Sequence, residues 1–304
     1  MSHLIKVDTT NIQEAMDIGD HDFEVEKVNL YTDNGLKIPD YVAVQSSDGR
    51  YLGTVGRGWE PVQPQAIYDL AQDLMDATEG SINGVINMFG GSIIGLSFNL
   101  AQREYVASDP VDLNFVMITS FNGTHGIAGH ATSKRLSCLN QCNTSNKLYN
   151  LRHTKNVSNR LIVVKNILKY YKNEIKSFDD KMMNLVNTRM SDEESIEWFE
   201  KLFPTPKSKN GQTVLKKNTE IFADLLVNGR GSEIQGVRHT SYGAFQALTE
   251  YINHHKTTRI HNDRDEDEVR FQSIHFGSGN KLAQTGLSTI LTDDFLFTEN
   301  EFRI

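Results

Sequence analysis

The chain has 304 residues, 38% of them hydrophobic and 23% charged, the balance of a folded globular protein of one large or two modest domains. No apolar run approaches the roughly 20 residues that a membrane-spanning helix needs, two cysteines are too few for a disulfide framework, and a net charge of −8 argues against indiscriminate binding to nucleic acid. The opening MSHLIKVDTTNIQEAMD is too acidic and too broken by polar residues for a secretory leader, so the expected location is the cytoplasm of the host cell.

Residues 1–40 show weak periodicity and several Asp/Glu, and read as an acidic segment that is in part mobile. From Tyr41, YVAVQSSDGRYLGTVG alternates apolar and polar residues around Ser47-Asp48-Gly49, which predicts a hairpin with a type I′-like turn. Pro64 then opens a helix in which Ile67, Leu70, Ala71 and Leu74 recur at helical spacing until Gly80. Strands are expected in VINMFGGSIIGLSFNL, VDLNFVMITSFNG and HGIAGHATSKRLSCL, with Asn122-Gly123 as a second hairpin signal. Residues 41–150 thus read as an α+β domain, an antiparallel sheet with one or two helices.

The remainder, 151–304, reads as mainly helical. Leu161, Val164, Leu168, Tyr171, Ile175, Phe178, Met182 and Leu185 follow steps of three and four throughout. That is a heptad seam, which wants a partner helix from this chain or from a second copy, and a homo-oligomer is expected. Ser191 and Glu194 form a capping box for the next helix, which Pro204 ends. Helices are expected at 213–228, stopped by Gly229, and at 240–255, while DRDEDE (263–268) reads as a solvated loop. The chain is expected to end in a strand, a glycine turn and a helix, from VRFQSIHF through Gly277 to Leu291.

Three sets of stretches stand in a familiar order. They are GTVGRGWEPVQPQAIYDL; RLSCLNQ followed by LRHTKNVSNRL; and SYGAFQALTEYINHH followed by FQSIHFGSGNKLAQTGL. In these, over roughly residues 41–290, the chain resembles the phage/plasmid-like proteins grouped as DUF932. The resemblance implies a protein carried by phages, prophages and plasmids, and it brings no catalytic set. The chain departs from the family pattern at Asn253, where Asp is frequent, and at Cys142, a second cysteine that the central motif does not usually supply.

The turn Gly277-Ser278-Gly279-Asn280-Lys281 invites a nucleotide reading, yet it lacks both the Walker spacing and the third glycine of a dinucleotide fingerprint. It reads as a tight turn capped by Ser278 or Asn280, with anion binding at the helix N-terminus as the alternative. His125, His130, Cys138, Cys142 and His153 form no second closely spaced pair, and Cys142 reads as a half-exposed thiol. Glu250 and His254, with His255 and His261 nearby, leave a third ligand unplaced, so no metal and no cofactor are expected.

The basic stretch is more informative. Residues 1–110 hold six Lys/Arg against seventeen Asp/Glu, whereas between His130 and Lys176 ten Lys/Arg face only Glu174. Lys165, Lys169, Lys172 and Lys176 recur every turn beside the seam, led in by Arg152, Lys155 and Arg160. Such a row suits a phosphate backbone, and Tyr149, Tyr170 and Tyr171 would stack on unpaired bases. The leading expectation is a non-enzymatic protein that binds or anneals single-stranded DNA as an oligomer. The alternatives are an inhibitor that blocks a host defence complex, and a metal-dependent enzyme using the 250–261 histidines.

Overall fold

The computed structural model describes residues 4–78, 80–137, 141–143, 149–157, 171–258 and 265–292. Strand signals from Tyr41 onward build strands, but the sheets begin earlier than the sequence pattern shows. In chain order come β1 (Leu4–Thr9), α1 (Ile12–Gly19), β2 (Val25–Tyr31), β3 (Lys37–Ser46), β4 (Tyr51–Gly56), α2 (Pro64–Thr78), β5 (Ser81–Met88), β6 (Ile93–Glu104), β7 (Pro110–Ser120), β8 (Ile127–Arg135), β9 (Gln141–Asn143) and β10 (Tyr149–Leu151). Helices follow: α3 (Tyr171–Asn187), α4 (Asp192–Lys201), α5 (Lys209–Asn228), α6 (Ser241–Glu250) running into a π-helical turn (Tyr251–His255), α7 (Glu266–Phe276) and α8 (Ser278–Leu291). This is an α+β fold, a sheet-rich N-terminal half followed by a helical C-terminal half.

The first 40 residues form regular elements over their described part. Leu4, Ile5 and Lys6 of β1 pair antiparallel with β5, and Asn11 caps α1 by accepting from the backbone N–H groups of Gln13 and Glu14. A larger sheet runs β1-β5-β6-β7-β8-β10, with β9 beside β8, and a smaller one runs β2-β3-β4. The chain divides into two units that are not consecutive stretches of sequence. One is Met1–Ala101, Asn114–Ala131 and Lys147–Asn173; the other is Gln102–Leu113, Thr132–Asn146 and Glu174–Ile304.

In the first unit α1 and α2 cover one face of the larger sheet. Met16, Ile67, Leu70 and Leu74 from the helices meet Ile82, Leu96, Phe98, Phe115 and Ile127 from the strands, all buried. Each such side chain contributes about 1.5–3 kcal/mol on leaving water. Tyr149 belongs to this core, packed against Phe115, so it is not a stacking surface for bases. The smaller sheet packs Val25, Val42, Val44, Leu52 and Val55 on Ile94 and Phe121. Its β3–β4 hairpin differs from the expected type I′ turn. Only Gly49 is left-handed (φ +88°), and it donates its N–H to Ser46, the geometry of a type I turn closed by a glycine bulge.

The second unit is organised around a buried ion pair. The Arg135 Nε donates to both carboxylate oxygens of Asp109 at 2.7 and 2.8 Å, the Tyr242 hydroxyl donates to Asp109 Oδ2 at 2.9 Å, and Ser137 Oγ donates to Oδ1. The Arg135 guanidinium also donates to the carbonyls of Arg230 and Gly231. Both charges are thus compensated where water is excluded.

Two expectations, the strand at VRFQSIHF and the loop at DRDEDE, fail over the described residues. Residues 269–276 form the end of α7, not a strand. Asp265 caps that helix, Glu266, Asp267 and Glu268 occupy its positive end, and Phe271, Ile274 and His275 share its buried side. The seam's C-terminal part, Ile175, Phe178, Met182 and Leu185, is buried within its own chain, Phe178 lying edge-on to Tyr105 at 6.2 Å. Those four are not available to a second copy. Leu161, Val164 and Leu168 lie outside the described residues, as does the side chain of Tyr171.

Both cores hold a buried polar group whose contribution can be measured. His21 is fully buried, with Nδ1 2.8 Å from the Tyr68 hydroxyl, and desolvation, aided by the Arg50 charge, lowers its pKa from 6.5 to about 3. The native ring stays neutral while the unfolded chain takes up the proton first. The contribution is therefore intact above pH 6.5 and declines toward pH 3 by about 1.4 kcal/mol per pH unit. His21→Asn should flatten the fall of denaturant-derived stability between pH 6.5 and 4.5. Separately, Asp109→Ala leaves the Arg135 charge buried without its carboxylate and should cost about 3–5 kcal/mol in the same measurement.

Candidate nucleic-acid interface

Three chain segments of the first unit meet at an open groove of about 540 Å3. The turn leaving β4 supplies Gly56, Gly58 and Trp59; the β7–β8 connection supplies Gly123, Thr124, His125 and Gly126; β10 and its exit supply Asn150, Arg152, His153 and Thr154. Their close approach is built into the sequence. A Cβ on Gly126 would stand 2.2 Å from the Leu151 carbonyl oxygen, so only glycine lets the β8 end lie against β10. Ser120 and His125 close the β7–β8 connection by reciprocal bonds, the hydroxyl donating to the His125 carbonyl and accepting from its N–H.

Trp59 and His153 both line the groove. Their rings stack with centroids 4.7 Å apart and planes inclined by 21°. His153 Nδ1 lies 3.0 Å from the Glu60 carbonyl oxygen and Nε2 lies 3.2 Å from the Thr119 hydroxyl. A carbonyl only accepts, so this pattern assigns the proton to Nδ1 and makes Nε2 the acceptor from Thr119. Burial pushes the pKa of this ring below its ordinary value, which keeps it neutral. Glu60 in turn donates its N–H to the His153 carbonyl at 3.2 Å, closing a reciprocal pair. With both nitrogens engaged, His153 is a fixed support for Trp59 and not a general base.

Arg152 lines the groove, and Lys155 follows Thr154 at the end of the lining segment. Arg152 and, three residues on, Lys155 are exposed, and neither makes an ion pair among the described residues. Glu60, next in sequence to Trp59, is paired with Lys27 at 3.1 Å, and Lys27 also donates to the Trp59 carbonyl. Of the expected nucleic-acid-binding residues, Arg152 lies in the groove, Lys155 follows it, and Lys176 is exposed on α3. Arg160, Lys165, Lys169 and Tyr170 lie outside the described residues, and so does the side chain of Lys172. Trp59, Asn150 and the Gly56–Gly58 turn carry little signal of a site in the sequence. Their one mark is GRGW, which has the pattern of a plain strand-to-helix turn.

The remaining candidates are placed elsewhere. Cys142 is not the half-exposed thiol expected. It is buried on β9 beside Ser133 Oγ, and burial pushes its pKa up to about 11, which makes it inert at neutral pH. Cys138 and His261 lie outside the described residues, and among those described no group of three His, Cys, Asp or Glu is placed to hold a metal. At the Gly277–Lys281 turn neither Ser278 nor Asn280 caps α8. Ser273, on α7, accepts from the Gly279 N–H instead, and Lys256 donates to Ser278 at 3.0 Å. Gly279 is there for close approach, since a Cβ would lie 3.0 Å from the Ser273 carbonyl oxygen. No helix among the described residues is long and apolar enough to cross a membrane.

Compared with known proteins, residues 51–275, about three quarters of the chain, match the model of DUF932, a domain of unknown function. No curated protein and no solved structure matches the chain.

The Trp59 indole N–H is buried without an acceptor among the described residues. An unmet donor of this kind costs about 1–3 kcal/mol, which offsets part of what a smaller ring would forfeit in packing. Trp59→Phe should therefore change stability by less than about 1 kcal/mol in denaturant titration, whereas Trp59→Ala should cost about 2 kcal/mol, a half-buried ring losing less than a fully buried one.

Proposed function

We propose that this chain, which belongs to the DUF932 family, is a non-enzymatic protein that holds single-stranded nucleic acid in the groove of its first unit. One observation carries the reading: an aromatic ring fixed by a buried histidine sits in an open groove beside two exposed cations that no acid of the described residues neutralises. A base stacked on an aromatic side chain gains about 1–3 kcal/mol whatever its identity. Phosphates on Arg152 and Lys155 add a salt-dependent term through counterion release. The overall charge of −8 confines this attraction to the patch and keeps the rest of the surface from binding.

The finer parts of the proposal are strand annealing or protection during recombination of a phage or plasmid, and action as an oligomer. Ile175, Phe178, Met182 and Leu185 are buried in their own chain, so self-association would not use these four. A second reading, a host protein as partner, draws on the exposed Tyr31, Tyr41 and Tyr51 of the smaller sheet and on Leu36 in its β2–β3 turn.

Fluorescence anisotropy of a labelled single-stranded oligonucleotide, titrated at several salt concentrations, tests the leading reading. Binding should weaken steeply with salt. Arg152→Ala with Lys155→Ala should lower the slope of log K against log salt by about 1.4, or about 0.7 for each phosphate no longer neutralised. An unchanged slope removes these two residues from the interface. No binding at low salt retires the nucleic-acid reading and leaves the protein partner.

A further inference from the structure

The four glycines that line the groove are not equivalent. Gly126 is forced by the Leu151 carbonyl, and Gly123 has a left-handed backbone (φ +76°). Gly56 and Gly58 have neither reason. Neither has a left-handed φ, and a Cβ built on either meets no atom of the described residues within 4 Å. Glycine is the residue whose ordering costs most backbone entropy, and alanine at a compatible site stabilises a fold. Two glycines that the fold does not require, with one residue between them and both lining the same groove, leave a bare backbone surface where a side chain would otherwise project.

The hydrogen bonding of the turn decides what that surface can receive. The Arg57 N–H is bonded to the Asp40 carbonyl at 3.0 Å, and the Trp59 N–H to the Gly56 carbonyl at 2.9 Å. An anion cradle needs several convergent backbone donors, and here the turn's own bonds have taken two of them. What remains exposed is flat peptide, next in sequence to the indole of Trp59 and lining the same groove. Flat peptide and an aromatic ring accept the face of a planar ring, while the phosphates fall to Arg152 and Lys155.

We infer that the Gly56–Gly58 turn is the base-facing wall of the groove, against which the planar base of an unpaired nucleotide lies, the glycines serving the ligand and not the fold. This rests on the nucleic-acid reading above and assigns one part of the site to the base and another to the phosphate.

The test compares the full-length protein with Gly58→Ala, Gly56→Ala/Gly58→Ala and Arg152→Ala/Lys155→Ala. Each is titrated by anisotropy with a labelled oligothymidylate and with an abasic oligonucleotide of equal length, and each is melted thermally. Wild type should prefer the base-bearing strand. The glycine variants should melt at the same temperature or higher, yet bind oligothymidylate at least fivefold more weakly and the abasic strand almost as before. The Arg152/Lys155 variant should weaken on both strands alike. Glycine variants that bind both strands like wild type, while the Arg152/Lys155 variant is defective, overturn the wall and leave the function standing. Glycine variants that melt lower return the two residues to a structural role. Wild type that binds neither strand overturns the wall and the nucleic-acid reading together.

Discussion

Both ring nitrogens of His153 are engaged inside the protein, Nδ1 on the Glu60 carbonyl and Nε2 on the Thr119 hydroxyl. A protonated ring would have to donate through both nitrogens, and the surrounding burial disfavours that charge. One neutral imidazole therefore ties three distant pieces of the first unit together: the turn after β4, the strand β7 and the exit of β10. The stacking of Trp59 and the exposure of Arg152 one residue before the imidazole both follow from that tie.

The same logic separates the two units chemically. In the second, two buried polar groups illustrate complete sets. Asp109 has Arg135, Tyr242 and Ser137; Asn253 uses its amide to accept from the Gln141 N–H and to donate to the Gln141 carbonyl, as a neighbouring strand would. Such groups are satisfied internally, so they specify a packing arrangement and have little left to offer a ligand. In the first, the polar groups around Trp59 hold the groove, while Arg152 and Lys155 stay in water.

Where structure depends on neighbours in sequence, the sequence is informative. The capping box forms as expected, Ser191 Oγ accepting from the Glu194 N–H while the Glu194 carboxylate accepts from the Ser191 N–H. Pro64 opens α2 and Gly229 ends α5. The sequence misleads where two periodicities compete. VRFQSIHF is rich in β-formers, but Asp265 and three acidic residues at the helix start, with Phe271, Ile274 and His275 packed on one side, make it helical. In the same way, β1 pairs through its backbone with β5, a contact that leaves little side-chain pattern in the first 40 residues.

By itself the sequence determined the α+β class, the helix ends at Pro64, Ser191 and Gly229, the charge imbalance and the family, because capping, hydrophobic period and net charge are properties of residues close together in the chain. Tertiary structure alone decided which histidine is a support, which tyrosine is core, and which face of the seam is closed. Residues 56–59, 123–126 and 150–154 are separated by dozens of residues, and nothing local to any of them records the others. The sheet's pairing, the glycine contact at Leu151 and the hydrogen bonds of His153 bring them to one groove, since burial and ring stacking depend on distances that the linear order does not contain.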